Sequence, residues 1–592
     1  KHISKKFGGI KAMVCLLAIL VAIPYSSSLD NNFVNWDDSA YVIDNPLIKE
    51  LSWQNIKKIF CSCLAGNYHP LVLISYSIEY FFFKLDPFIY HLTNLSLHIL
   101  NCLLVFWVIL LISSSISISF LTALFFGIHP LHVESVAWVS ERKDVLSTLF
   151  FLATLISYWY YKINNKRYLY HLSILLFLLA LLSKPMVITL PLVILLLEYH
   201  HGTKFNLSDK IPFFMLSIIF GVITIFSQYS AKAMAYISSL TVLDNLLIAL
   251  RNIVFYLSRF FIPHRLCAFY PYPEKIGILS ADFYTSLILL LVITLVLYHS
   301  KRYTNKVIFG FLFFLLTIFP VLKLFPIGSA VAADRYMYIP SIGLTYMAGF
   351  AFQRAYVSKI HFDRVKKWCL VIMLLVIYMV FSNMTWKMSN TWQDSETLWQ
   401  NVLKNYPQSV KAHTNLALAY IEKGSLDKAV NQCKKALAIN PHYVRARNVL
   451  GIAYDKKGMV DEAIVVYRKA LSINPHDKET LANLGLAYIE KGEFDKAIVE
   501  CKKALAINPD CVVAHNNLGI AYTKRGMLDE ALVEFKEVLR VNPYSKDAHN
   551  NLAVIYCLKG EYKLAVEHCN KLMALGYGIQ TKMSELLKDH MD

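Results

Sequence analysis

KETLANLGLAYIEKGEFDKAIVECKKALAINPDC, residues 478–511, is one of five consecutive 34-residue stretches built on one plan. Leu484 and Tyr488 stand four apart, which puts both on one face of a first helix. Gly492 ends that helix in the left-handed position that glycine adopts without steric cost. Ala497 lies on a second helix that packs back on the first, and Pro509 closes the unit. The plan recurs as Leu416, Leu450, Leu518 and Leu552, then Tyr420, Tyr454, Tyr522 and Tyr556. Ala429, Ala463, Ala531 and Ala565 follow it, with Gly424, Gly458, Gly526 and Gly560 at the turns. Pro407, Pro441, Pro475, Pro509 and Pro543 repeat at intervals of 34 residues. Cys433, Cys501 and Cys569 share a position with Tyr467 and Phe535, which marks them as packing residues rather than ligands.

A helix pair with this period is the signature of the tetratricopeptide repeat, whose arrays bind polypeptide and perform no chemistry themselves. The expected repeats are 410–443, 444–477, 478–511, 512–545 and 546–579, preceded by a capping half-repeat at 391–409 and followed by a tail at 580–592. Asn415, Asn483, Asn517 and Asn551 precede the repeated leucine, with Val449 interrupting the series. An amide both donates and accepts, so such a ladder can grip the backbone of an extended peptide. In this the array resembles the repeats of the soluble O-linked N-acetylglucosamine transferases. The alternative is a row of solvated polar positions.

Residues 1–390 are of another kind. The chain is 56% hydrophobic and only 17% charged, too apolar for a soluble enzyme of 592 residues. The expected class is all-α, with a polytopic membrane domain of about eleven spans followed by the repeat solenoid. The net charge of +18 does not point to nucleic acid, because many Lys and Arg sit in short connectors between apolar runs, where they set topology. The connectors are Lys162 to Arg167, Lys204 to Lys210, Lys301 to Lys306 and Arg354 to Lys367, all on the cytoplasmic side if there are eleven crossings. The basic start at Lys1, Lys5, Lys6 and Lys11 followed by the apolar run Ala12 to Tyr25 reads as an uncleaved anchor, since no small-x-small cleavage site follows. A first residue other than Met reads as a fragment or a missing beginning.

Residues 246–262 carry Arg251 and Arg259, which cost about 3 kcal/mol each at bilayer depth. That stretch is expected to be re-entrant or interfacial. The first loop, 26–90, and the repeats then face the same outer compartment. Asn35-Trp36-Asp37-Asp38 opens that loop, and adjacent carboxylates beside a membrane can take a proton from an acceptor hydroxyl. They can equally serve as turn or cap residues. Cys61 and Cys63 form a Cys-x-Cys able to pair with a thiol. His129, His132 and Glu134 have a spacing compatible with a divalent metal, although none is favoured and no other cofactor is expected.

The Trp-Asp-Asp loop, His129-Pro130-Leu131-His132-Val133-Glu134-Ser135-Val136-Ala137-Trp138, Ser140-Glu141-Arg142-Lys143-Asp144-Val145-Leu146, Ser183-Lys184-Pro185 and Asp334-Arg335-Tyr336-Met337-Tyr338-Ile339-Pro340-Ser341-Ile342-Gly343 occur in that order. Together they resemble the transmembrane and tetratricopeptide-repeat-containing O-mannosyltransferases and their bacterial relatives. The resemblance implies an inverting glycosyltransferase of the type-C fold, acting on a polyprenyl-phosphate sugar at the outer leaflet of the cytoplasmic membrane. It places an acidic base at Asp37 or Asp38, with a slight preference for Asp38. A phosphate leaving group calls for cations, and Arg142, Arg335 and Lys184 are the candidates. His69, His132, Glu134 and Asp334 are the candidates for the sugar or acceptor pocket. Lys184-Pro185 departs from the animal pattern, so the animal acceptors do not carry over. A non-catalytic scaffold and a lipid-glycan flippase are the competing readings. The flippase is disfavoured because the polar motifs lie in loops rather than mid-span.

Overall fold

The structure is a computed structural model that describes residues 2–203, 206–230, 241–272, 281–300, 305–324, 328, 330–357 and 363–578. Lys1, Lys204, Lys301, parts of the connectors they begin or flank, and the tail 580–592 lie outside the described residues. The chain forms two compact units, Lys1–Tyr406 and Pro407–Asp592.

In the first unit, four described helical segments are long and apolar enough to cross a membrane: Ile10–Asp30, Pro87–Ser113, Ser208–Ser230 and Arg364–Thr391. The bent pair Ile116–Ile128 and Pro130–Ala137 makes a fifth if it counts as one broken span. The remaining expected crossings fall on shorter or less apolar helices, among them Arg167–Ser183, Pro185–His201 and Asn305–Val321. The Arg142–Asn164 helix belongs here too, its hydropathy lowered by Tyr, Trp and the charges of its first turn. It packs antiparallel against Arg167–Ser183, so the chain leaves one end of the bundle at Arg142 and returns to it at Lys184. At the opposite end, Glu198 accepts from Lys210 at 2.7 Å and pairs with Lys162 at 3.2 Å. Two of the basic connectors therefore sit at one end of the bundle, separated by roughly 30 Å of helix from the motif-bearing loops.

The stretch 26–90 is not one long polar loop. It ends in an apolar helix, Pro70–Phe83, and only the part before His69 is loop with short helical turns and the amphipathic helix Trp53–Cys61. The stretch 246–262 is helical as part of Val242–Phe261, which buries Asn252, donating to the Val331 carbonyl at 3.1 Å, and Arg259, donating to the His264 carbonyl. A short antiparallel ribbon pairs Tyr270–Pro271 with Ala330–Ala332. It leads straight into the Asp334–Met337 turn. That turn is anchored downstream by a helix crossing in which Gly310 and Gly343 bring two backbones into contact. A Cβ on Gly343 would lie 2.2 Å from the Gly310 carbonyl oxygen. Small residues are what allow such approach in a membrane bundle.

The second unit is the expected solenoid of five helix pairs, from Val410–Glu422 with Leu426–Ile439 to Lys546–Leu558 with Tyr562–Ala574. The repeated Leu and Ala positions are buried throughout. Gly424, Gly458, Gly492, Gly526 and Gly560 have φ between 73° and 82°. The residue after each glycine donates to the carbonyl of the repeated tyrosine, as Ser425 does to Tyr420 at 2.8 Å and Met459 to Tyr454 at 2.9 Å. This is the Schellman closure, which satisfies a carbonyl that the helix end leaves orphaned. An Asp–Lys or Asp–Arg ladder runs between successive repeats, as in Lys491–Asp461 at 2.6 Å and Arg525–Asp495 at 2.8 Å. These pairs are exposed, so solvent screens them and they add little to stability.

Within each pair, small and large residues alternate in complement. A Cβ on Gly451 would meet the Tyr467 ring at 2.3 Å, one on Gly485 the Cys501 sulfur at 2.5 Å, and one on Gly519 the Phe535 ring at 2.8 Å. Where the first helix carries Ala417 or Ala553, the second carries Cys433 or Cys569. Overpacking costs about 1–3 kcal/mol. Gly451→Ala is therefore expected to lower the thermal unfolding midpoint of the solubilised protein, and adding Tyr467→Cys to recover part of the loss. An unchanged midpoint for the single variant would remove this account of the pairing.

Candidate active site

The first loop is held by the end of the last long helix and the helix that follows it. Asn31 Nδ2 donates to the Ser389 carbonyl at 3.1 Å, and the Asn32 N–H donates to the Gln393 carbonyl at 2.9 Å. The Asn35 N–H donates to Ser395 Oγ at 2.8 Å, and Trp399 Nε1 donates to Asn35 Oδ1 at 2.8 Å. Four indoles continue the attachment. Trp36 stacks on Trp138 at 4.9 Å and meets Trp399 at 5.1 Å, while Trp138 stacks on Trp392 at 5.2 Å. The helix Ser395–Asn405, expected to cap the repeats, thus packs on the loop of the first unit and belongs to it. Its sequence signal was the Trp392 and Trp399 spacing, which is unlike any position of the later repeats.

This attachment separates the two acids of the doublet. Asp38 is buried and its carboxylate accepts from three donors: the Val34 N–H at 2.9 Å, the Ser140 N–H at 3.0 Å, and the Ser140 hydroxyl. Burial pushes Asp38 up to about 6 while these donors oppose the shift. Asp37 is half-buried, and its carboxylate makes no hydrogen bond among the described residues. It lies within electrostatic reach of Lys143. Asp38 thus pins the loop to Ser140, whereas Asp37 keeps a carboxylate without a hydrogen bond among the described residues.

Glu141, which sequence reasoning quoted without giving it a role, is the hub of an ionic cluster. It is 1% exposed and takes Lys143 at 3.1 Å, Lys184 at 3.2 Å and Arg335 Nε at 3.1 Å. Burial works to raise its pKa, and these three cations overcome burial and hold it well below the carboxylate range. Asp144 adds a 2.6 Å contact to Lys184. Glu134 accepts the Arg335 N–H at 2.9 Å and pairs with its guanidinium. The side chains of Lys184 and Arg335 are 14% and 15% exposed, against 1% for Glu141 and 3% for Glu134. Lys184 and Arg335 are therefore the more accessible members of the cluster, while Lys143 and the carboxylates are buried. His69 borders it, with burial pushing the imidazole down to about 3 and Lys143 adding to the shift. His69 is buried against Tyr41.

Other expected site residues are placed elsewhere. Arg142 is fully buried. It donates to Asn94 Oδ1 at 2.8 Å, Ser75 Oγ at 3.2 Å, the Tyr90 carbonyl at 2.9 Å and the Glu79 carboxylate, between the rings of Tyr76 and Tyr90. It ties three helices together and cannot reach a ligand phosphate. Its neighbour Lys143 takes its place in the cluster. His132 is also interior: its nitrogens meet the Phe126 carbonyl at 2.7 Å and Ser341 Oγ at 2.9 Å among aromatic rings. It is packed in the core. Asp334 is buried, accepts from the Tyr270 hydroxyl at 2.8 Å, and is shifted upward by burial and by Glu134. His129 stacks on Phe260 and contacts the Phe260 carbonyl, turned away from the partners of His132. Among the described residues no three His, Cys, Asp or Glu side chains converge on a metal site.

In the solenoid, three members of the asparagine ladder bond to the preceding repeat. Asn483 Nδ2 donates to Asn448 Oδ1 at 3.0 Å, Asn517 Nδ2 to the Ala482 carbonyl at 2.9 Å, and Asn551 Nδ2 to Asn516 Oδ1 at 3.4 Å. Asn448 thus stands in for the interruption at Val449. Asn415 is buried as well. Asn483, Asn517 and Asn551 each commit one of their two amide hydrogens to joining successive repeats.

Comparison with known proteins divides along the same line. Models described as tetratricopeptide repeats match residues 410–443, 444–477, 466–499 and 516–576, and one described as TPR repeat matches 485–526. Protein O-mannosyl-transferase F38B6.6 of Caenorhabditis elegans is 23% identical over 455 residues, covering 73% of this chain and 63% of that protein. Protein O-mannosyl-transferase TMTC3 of Homo sapiens is 23% identical over 484 residues, covering 72% of this chain and 51% of that protein. The chain therefore spans between half and two thirds of the length of these relatives. A solved TPR protein, YrrB, is 24% identical, covering 33% of this chain and 94% of that one, with a TM-score of 0.25. The chain carries tetratricopeptide repeats, and the relatives it resembles along most of its length are named protein O-mannosyl-transferases.

Proposed function

We propose that the protein is an integral-membrane glycosyltransferase that moves a sugar, mannose in the first instance, from a polyprenyl phosphate to a hydroxyl of a polypeptide. The reaction takes place on the extracytoplasmic side of a cytoplasmic membrane. The observation that carries this reading is one half-buried carboxylate without a hydrogen bond among the described residues, Asp37, near a cluster whose most exposed side chains, Lys184 and Arg335, are cations. Asp37 takes the proton of the acceptor hydroxyl as its oxygen attacks the anomeric carbon. The bond from that carbon to the phosphate oxygen breaks, and the polyprenyl phosphate leaves with the bonding electrons. Arg335, Lys184 and Lys143 face the charge that develops on this phosphate, and Glu141 holds the three in one place before the donor arrives. Attack from the face opposite the leaving phosphate inverts the anomeric centre, which makes this a single-displacement reaction of the type-C kind. The repeats hold acceptor polypeptide and raise its local concentration at the membrane surface.

Purified protein in detergent, supplied with radiolabelled polyprenyl-phosphate mannose and an extract of extracytoplasmic proteins, is expected to transfer label to protein. Arg335→Ala is expected to lower kcat/KM for the donor by about 10²–10³-fold, the usual effect of losing one charge-stabilising group. Well-folded protein that transfers nothing from mannose, glucose or arabinose carriers would refute the reading.

A further inference from the structure

A second basic site in the first unit shares no residue with the Glu141 cluster. Arg265, Lys387 and Lys404 line a groove of about 340 Å³ together with Leu266, Met384 and Met388. Among the described residues no carboxylate lines it. The three cations make no ion pair with any described residue. Three unneutralised charges within one groove repel one another and call for an anion to offset them.

The groove sits at a definable level. Lys387 stands four residues before the end of the candidate span Arg364–Thr391. Beside it Trp386 is 42% exposed, and Phe261 and Ile262, just ahead of Arg265, are each 67% exposed. Exposed aromatics next to cations at the end of a span mark the head-group layer of a bilayer. This is also the end of the bundle that holds the first loop, since Ser389 and Gln393 accept from Asn31 and Asn32. The connector lysines Lys162 and Lys210 lie at the opposite end. Topology therefore does not account for the basic residues here, because the positive-inside bias is met at the other end.

We propose that this groove binds the phosphate head-group of an anionic phospholipid of the surrounding bilayer. Arg265, Lys387 and Lys404 grip the phosphate, and Met384, Met388 and Leu266 meet the glycerol and first acyl carbons. Methionine side chains suit this second role because they adapt to irregular apolar partners. The site is separate from the sugar donor's and holds a resident lipid against the end of the last span.

Native mass spectrometry of the full chain in detergent tests it, with phosphatidylglycerol, phosphatidylcholine, a polyprenyl phosphate and inorganic phosphate as probes. The expected result is a phosphatidylglycerol adduct favoured over phosphatidylcholine, weakened about 100-fold in the triple variant Arg265→Ala, Lys387→Ala, Lys404→Ala. The charge-keeping variant Arg265→Lys, Lys387→Arg, Lys404→Arg should retain the adduct, which guards against misfolding as the cause of a loss. Equal phosphatidylglycerol binding by wild type and the alanine variant would overturn the proposal. So would equal binding of phosphatidylcholine, displacement of the adduct by inorganic phosphate, or groove-dependent binding of polyprenyl phosphate instead. The adduct is read by mass, so absence of sugar transfer would leave this result standing, and its failure would leave the transferase reading untouched.

Discussion

Asp37→Asn is expected to abolish sugar transfer, lowering kcat by about 10²–10⁴-fold, the contribution of a positioned general base. Donor KM should stay near its wild-type value, because in the proposed reaction Asp37 takes the acceptor proton and does not bind the phosphate. Asp38→Asn should behave differently. Asn keeps one acceptor oxygen but brings an NH₂ group to face the Val34 N–H or the Ser140 donors, so a buried donor loses its partner at a cost of about 1–3 kcal/mol. The expected phenotype is a lower unfolding temperature with residual transfer. Assaying both variants on protein of matched folded fraction separates the roles, and transfer that survives Asp37→Asn but not Asp38→Asn would reverse the assignment.

Arg142→Met should have the largest effect on stability. The guanidinium is wholly buried and satisfies Asn94, Ser75, Tyr90 and Glu79 at once. Removing it leaves the Glu79 carboxylate buried without its cation, and breaking such a pair costs about 3–5 kcal/mol. Thermal unfolding and size-exclusion behaviour in detergent should both register the loss. The double variant Glu79→Leu, Arg142→Met should recover much of it, because an apolar pair of similar volume removes the uncompensated charge. A single variant as stable as wild type would return Arg142 to the list of ligand-binding candidates.

Much of the fold was legible because its determinants are local. The solenoid follows from residues 34 apart that each make contacts within their own helix pair or with the next one, so a written period becomes a spatial period. Gly424 and its counterparts were readable because a left-handed helix end is a property of three or four consecutive residues. The helices flanking Lys162 and Lys210 were readable from apolar runs and basic connectors. The first loop was less so: the helix Pro70–Phe83 has only 14 residues and was absorbed into a loop expected to be polar.

The site was legible as motifs and not as roles. Asp37 and Asp38 are identical in type and adjacent in sequence, and nothing local tells them apart. What does is Ser140, 102 residues away, which engages Asp38 with both its N–H and its hydroxyl. Arg142 and Lys143 are likewise neighbours on one helix turn, so they point to different sides of the helix; one enters the core against Glu79 and the other joins Glu141. The asparagine ladder was visible as a series, but its partners lie about 35 residues back, in the preceding repeat.

The sequence by itself determined the class of each half, the repeat count, the helix ends and the set of loops that carry polar motifs. All of these depend on periodicity and composition over a few dozen residues. Only the tertiary structure decided which acid is hydrogen-bonded, which cations share Glu141 and which histidines are core, because burial and hydrogen-bond partners are set by chain segments far apart in sequence.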